Sequence, residues 1–299
     1  MRNIFYLFCA TLIAGTLQAQ DSTLLKMLDD SMAVHAKPLY VTGTFKATHI
    51  ANMQTIEAPA EGALSFVIQH RFGRVNSGAY SFFGLDGATL RLGFDYGITD
   101  RLTVGIGRSS YLRTYDGYLK YKLLRQTDGS NNMPVSVSVL GTINIATDSI
   151  YKKAPNYENR PTYTGQVLIA RKISRSLSLQ LTPTYLSYNY RDRPADKTDI
   201  FALGIGGRMK ITKRMSINAE YDYLPTGQIG YYNGDKVRNS FSLGWDIETG
   251  GHVFQLIFSN SQSMLETQYI TQTTGSWGKG DIYFGFNISR NFNLKKKKK

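Results

Sequence analysis

From Ala88 to Tyr96 the chain alternates strictly, with Ala88, Leu90, Leu92, Phe94 and Tyr96 on one side and Thr89, Arg91, Gly93 and Asp95 on the other. After Thr99, Asp100 and Arg101 the apolar positions resume as Leu102, Val104 and Ile106, with Thr103, Gly105 and Gly107 opposite. A period of two predicts two antiparallel strands, each with one apolar and one polar face, joined by a tight turn.

The same period runs from Glu61 to Phe292. Leu64, Phe66, Ile68 and Phe72 open it, and Ile282, Phe284, Phe286 and Ile288 close it. Twelve such strands can be counted, most of about 9 to 13 residues, a length that crosses a bilayer at a tilt. Their connections differ in length by side. Thr99–Arg101, Ile173–Ser176, Thr212–Arg214 and Gly250–Gly251 are short, whereas Arg74–Asp86, Asp148–Pro161, Arg191–Thr198, Pro225–Arg238 and Gln262–Gly280 are long. Short periplasmic turns and long outer loops are the habit of outer-membrane barrels. Two connections break the rule, a short Arg113–Gly117 and a longer Arg125–Pro134. The turns at Ile98–Leu102, Ile173–Leu177 and Ile211–Met215 share one pattern, a hydroxyl residue and a charge between two apolar residues.

A soluble sandwich also alternates, so the faces must be compared. Here the polar face is rich in glycine (Gly93, Gly97, Gly105, Gly107, Gly204, Gly206), and aromatics collect near strand ends (Tyr96, Tyr185, Tyr221, Tyr223, Trp245). Small inward residues and interfacial aromatic rings fit a barrel in lipid. Arg2 followed by the apolar run Ile4–Leu17 reads as a signal peptide over residues 1–20, and it contains Cys9, the single cysteine. The exported body then has no disulfide and depends on backbone pairing and packing. No later stretch is apolar enough for a spanning helix, so contact with a membrane requires a closed barrel. The predicted class is all-β, a closed antiparallel transmembrane barrel of about 12 strands over residues 61–294. Residues 21–60, with a short helix over Asp21–Val34, form an N-terminal periplasmic or plug segment, and residues 295–299 form a poly-lysine tail on the periplasmic side. Taking Arg2 and the five terminal lysines from the formal net charge of +13 leaves +7, so the basic balance is partly a tail. With export and no basic helix, nucleic acid is excluded as a partner.

The run GAYSFFGLDGATLRLGFDYGITDRLTVGIGRSSYLRTYDGYLKYKLLRQ, Gly78–Gln126, resembles a family of outer-membrane β-barrel proteins of Gram-negative bacteria catalogued as a domain of unknown function. The resemblance extends over roughly Thr44–Phe292. It implies the barrel and the outer membrane, and it brings no catalytic or binding residues with it.

Strand parity turns Arg71, Arg91, Arg208 and Lys210 inward against Asp95, Glu220, Asp222, Asp246 and Glu248, with Lys120 and Lys122 inward at the periplasmic mouth. This near balance predicts a salt-bridged interior, wholly or partly closed, rather than a strongly selective pore. Of the histidines, His70 falls on the lipid side, His252 follows a turn, and His35 and His49 lie in the N-terminal segment, so parity sets none beside an inward serine and acid. Asp192, Asp196 and Asp199 are interleaved with Arg191, Arg193 and Lys197, which argues against a metal site, and Gly204, Gly206 and Gly207 lie mid-strand, where close packing explains them. Outer loops carrying Tyr151, Tyr157, Asn159, Tyr231, Tyr232 and Asn233 have the composition of a glycan- or surface-binding patch. The expected function is a passive small-solute channel or a structural barrel, with surface binding by the outer loops or a lipid-directed hydrolase as alternatives. Outer-membrane lipid, the barrel-assembly machinery and a small solute are its expected partners; the pattern calls for no cofactor and sets no oligomeric state.

Overall fold

In a computed structural model, which describes residues 26–27, 39–129, 132–148, 160–191 and 193–295, the alternating segments form one closed antiparallel barrel of twelve strands. They are β1 (Ala63–Arg74), β2 (Thr89–Gly97), β3 (Leu102–Ser109), β4 (Thr114–Leu124), β5 (Ser136–Ala146), β6 (Pro161–Lys172), β7 (Leu177–Tyr188), β8 (Asp199–Lys210), β9 (Met215–Tyr223), β10 (Ser240–Glu248), β11 (His252–Ser259) and β12 (Tyr283–Asn293). Each pairs with its neighbour in sequence, and β12 closes on β1 from Tyr283↔Arg74 to Asn293↔Ala63. Closure leaves no edge strand, which is the condition for a sheet to stand in lipid. Separately, a small unit pairs Leu39–Tyr40 with Thr127–Asp128. The signal peptide with Cys9, nearly all of the Asp21–Val34 helix, His35, Tyr151, Tyr157, Asn159, Asp192 and the tail beyond Lys295 lie outside the described residues.

Three tight turns are built alike, and the hydroxyl in their shared pattern explains why. Thr99 Oγ1 accepts the N–H groups of Arg101 (3.2 Å) and Leu102 (2.9 Å). Ser174 Oγ does the same for Ser176 and Leu177, and Thr212 Oγ1 for Arg214 and Met215. The side chain thus satisfies two donors that the reversing backbone leaves over. At the other end of the barrel, the break before β4 is a compact turn in which Leu112 and Arg113 take positive φ (50° and 49°). It lets β4 start at Thr114, so Asp116, read from sequence as part of a loop, is an inward strand residue.

The barrel is inside-out. Leu90, Leu92, Phe94 and Tyr96 of β2 face outward and are 36–44% exposed, whereas Arg91 and Asp95 between them are buried. The outward band includes Ile106, Leu119, Phe201, Ile205, Trp245 and Phe258, an apolar surface far larger than a protein in water carries. His70 lies in this band, stacked on Phe286 with ring centroids 5.0 Å apart.

Glycines on the inner face make room for chain. A Cβ on Gly97 would lie 2.3 Å from the Ala60 carbonyl oxygen, and one on Gly206 2.4 Å from Ile50 Cδ1. Gly97→Val is therefore expected to lower the unfolding midpoint in detergent, read by gel-shift heat modification, by the equivalent of about 1–3 kcal/mol of overpacking. Gly165→Ala, where nothing lies within 4 Å, should leave it unchanged.

Candidate functional site

The lumen holds two pieces of the chain itself. From the end bearing the tight turns, residues 44–57 enter as irregular backbone, with a narrow loop closed by Ile50 N–H donating to Met53 O (2.8 Å) and Thr55 N–H to Thr48 O (2.9 Å). Buried backbone needs partners for each polar group, and the strands supply them as side chains. Glu220 accepts the N–H groups of Ala51 (3.0 Å), Asn52 (2.8 Å) and Met53 (2.9 Å). On the opposite side of this tip, Asn287 Nδ2 donates to Ala51 O (2.8 Å), Gln255 Nε2 to Ile50 O (2.9 Å), and Arg71 Nη2 to Asn52 Oδ1 (2.7 Å). Further along, Gln180 brackets the segment through Gln54 O and Ile56 N–H. Phe45, Ile50, Met53 and Ile56 form an apolar cluster with Leu168 and Ala170 of β6.

From the long-loop end, residues 260–274 turn into the mouth instead of out to solvent. Met264, Leu265 and the helical turn Glu266–Tyr269 are all buried, and Tyr269 and Ile270 pack against Leu186, Ile200 and Leu224. Gln268 Nε2 donates to Thr114 Oγ1 (2.8 Å), and Tyr188 Oη to Thr267 O (2.6 Å). Burial pushes the Glu266 carboxyl up to about 7. An acid whose pKa is raised on folding takes up a proton as it folds, so its seating is firmest below the unfolded value near 4.5 and weakens as the pH climbs through about 7. Between pH 4.5 and 8 this amounts to about 3 kcal/mol. Protease protection of residues 260–274 should accordingly be greater at pH 5 than at pH 8, and Glu266→Gln should abolish the difference.

The charges assigned to the lumen by parity divide by occupation. Arg71, Arg91, Asp95, Lys120, Arg208, Glu220, Asp222 and Asp246 are buried; Lys122, Lys210 and Glu248 are half-buried toward the tight-turn end. Direct ion pairs join only some of them: Arg208 reaches Glu248 (2.8 Å) and Asp246 (3.9 Å), and Glu248 also takes Lys46 (3.0 Å). Arg91 is paired to Asp116, two strands away, over Gly107. Of the remainder, Arg71, Asp95, Lys120 and Glu220 bond the inserted chain directly, Asp246 bonds amides that hold it, and Asp222 Oδ2 is buried without a hydrogen-bond partner. Lys120 lies deeper than a mouth residue, its Nζ donating to Gln54 Oε1 (2.8 Å), Thr55 O (2.9 Å) and Glu57 O (3.1 Å). Asp95 accepts from Thr48 Oγ1 (3.3 Å), and Asp246 from Asn218 (2.6 Å) and Gln255 (2.8 Å). The interior is thus less a ladder of mutual salt bridges than a set of clamps on residues 48–57.

Thr48, His49 and Asp95 come together, with Thr48 Oγ1 3.1 Å from His49 Nδ1. The hydroxyl stands between ring and acid, so the acid does not orient the imidazole as a general base would require. Among the described residues no group of three His, Cys, Asp or Glu side chains could hold a metal ion.

Among the described residues, cavities open at both ends of the barrel. A cavity of about 430 Å3 opens at the tight-turn end beside Lys46, Glu57, Glu248 and His252. Cavities of about 270 and 200 Å3 open at the long-loop end. The void beside His49, Tyr118, Thr142 and Glu266 measures about 10 Å3, room for about one water.

Among solved structures, the chain is similar to the KdgM porin (9% identity, TM-score 0.46, 76% of this chain and 99% of that one). It is similar also to the COG4313 outer membrane channel from Pseudomonas putida F1 (15%, 0.43, 79% and 97%) and to outer membrane phospholipase A from Escherichia coli (11%, 0.44, 80% and 92%). No curated protein matches it significantly. Residues 45–292, which take in all but the first residue of the inserted segment and all but the last residue of the barrel, match the membrane-bound beta barrel domain DUF5777, and the chain belongs to that family.

Proposed function

We propose that this outer-membrane barrel is a small-solute channel in its closed state, with residues 44–57 as its displaceable plug. The supporting observation is that residues 44–57 are held inside the barrel by side chains of the strands, between cavities of hundreds of Å3 at its two ends. The obstruction there is made of chain segments held largely by hydrogen bonds to polar strand residues, and those residues would line a water-filled path once the segment left. Because that lining mixes Arg71 and Lys120 with Asp95, Glu220, Asp222 and Asp246, the open path would be weakly ion-selective. The reading is non-enzymatic, since His49 is enclosed and His70 faces lipid.

Planar-bilayer conductance tests it. The full chain is expected to be silent and a barrel lacking residues 44–57 to show stable steps of low selectivity. Silence of that shortened barrel, shown to be folded by heat modification, would overturn residues 44–57 as the gating plug and leave the lumen closed by residues 260–274, which enter it from the other end.

A further inference from the structure

The two cavities at the long-loop end share Tyr232, Asn233 and Gln272, so they form one two-lobed groove across the mouth. Their combined size is within the ~300–1,000 Å3 range of small-ligand clefts. The larger lobe is built around arginine on tyrosine. Arg191 lies 3.4 Å over the Tyr188 ring and Arg193 4.9 Å over that of Tyr231. Tyr188 is itself fixed by its hydroxyl, at 2.6 Å from Thr267 O and 2.7 Å from Thr271 Oγ1, and Arg191 Nε donates to Lys197 O (3.2 Å). This guanidinium is therefore held in place before any ligand arrives.

Two polar atoms on this wall are buried with no protein partner. Arg191 Nη2 lacks an acceptor, and Gln272 Oε1, on a residue 8% exposed, lacks a donor. Each such atom is costly until something supplies its missing bond. The pair of needs defines the ligand. A guanidinium N–H held on an aromatic face asks for an anionic oxygen, and an amide oxygen asks for a hydroxyl. The acid on the same wall, Asp196, accepts the Gly230 N–H (3.2 Å), holding the opposite loop in place.

We propose that the groove binds an acidic sugar, a pyranose unit carrying a carboxylate or phosphate, with its anionic group on Arg191 and Arg193 and a hydroxyl on Gln272. A second ring occupies the smaller lobe, where Arg74 is already held by the Tyr283 hydroxyl (2.8 Å) and Asp281 (3.6 Å). Binding at the mouth does not need the lumen to open, so its outcome is separate from that of the channel reading.

Isothermal titration of the full chain in detergent tests it, with a glucuronyl-glucose disaccharide, its neutral counterpart cellobiose, and inorganic phosphate. The acidic disaccharide should bind saturably and at least about tenfold more tightly than either control, because the anion and the hydroxyl are both required. Arg193→Met, at an exposed position, and Arg191→Met should each weaken it about tenfold. Equal binding of cellobiose, full competition by equimolar phosphate, or unchanged affinity in the Arg193→Met protein would each overturn the proposal.

Discussion

Glu220→Ala is expected to release residues 44–57 from the lumen. Its carboxylate is the acceptor for three consecutive N–H groups at Ala51, Asn52 and Met53, while the carbonyl side of the same turn meets Arg71, Gln255 and Asn287. The tip of the segment thus lies between an anion that takes its donors and a cation with two amides that take its acceptors. A charge-assisted hydrogen bond contributes about 1.5–3 kcal/mol, and the three share one group and do not add in full. Removing the carboxylate also leaves Arg71, whose own bonds run to neutral oxygens, without the nearby negative charge. The expected loss is about 3–5 kcal/mol of seating, the cost of breaking a buried charged set by deleting one member. Two readouts follow it: trypsin should cut at Lys46 in the variant but slowly in the parent, and conductance steps should appear. Glu220→Gln, which keeps an acceptor oxygen and loses the charge, should fall between. A folded Glu220→Ala barrel that stays silent and protected at Lys46 would show that the segment is held by its apolar cluster around Phe45, Ile50 and Met53 instead.

The barrel was legible because strand pairing imposes a period of two on every crossing, and the inward charges follow from that period. A plug was one of two readings of residues 21–60, but which residues enter the lumen was not legible, because the partners of residues 44–57 are side chains on six or more distant strands, which leave no periodicity in the segment itself. A trace does exist in the strands. Gln69, Gln180, Asn218, Gln255 and Asn287 are amides at inward positions, and four of them bond to the inserted backbone or to the groups that hold it. Inward glycines at 204 and 206 mark where the side chains of Met53 and Ile50 pass, and Gly97 where Pro59 and Ala60 lead out of the segment. An inner wall of amides and glycines differs from the charged, one-signed wall of an open pore, and it carried the information that something occupies the lumen. Gln262–Gly280 reads in the sequence as a long outer loop, although Met264, Leu265, Tyr269 and Ile270 within it need an apolar partner. Asp116 was missed for a narrower reason: the turn before β4 places Leu112 and Arg113 at positive φ, conformations a sequence rarely assigns to such residues, so the strand starts earlier than its pattern suggests.

That missed residue makes the second large effect. Arg91 on β2 and Asp116 on β4 pair across the intervening β3, where Gly107 leaves the space: a Cβ there would lie 2.7 Å from both Arg91 Nη2 and Asp116 Oδ1. Arg91 Nε also donates to Asp116 Oδ1 at 3.0 Å, so the contact is bidentate, and Nη1 reaches Gln69 Oε1 at 2.9 Å. Both side chains are 2% exposed, which makes the pair costly to bury and more costly to break. Arg91→Met leaves an unpaired carboxylate and Asp116→Leu an unpaired guanidinium, each expected to cost about 3–5 kcal/mol and to lower the unfolding midpoint in detergent sharply. Arg91→Met/Asp116→Leu removes both charges and keeps the volume above Gly107 filled, so its midpoint should return close to that of the parent. A double variant as unstable as the two single losses combined would mean that the groups act independently, and that the inner wall at β2–β4 is held by something other than their pairing.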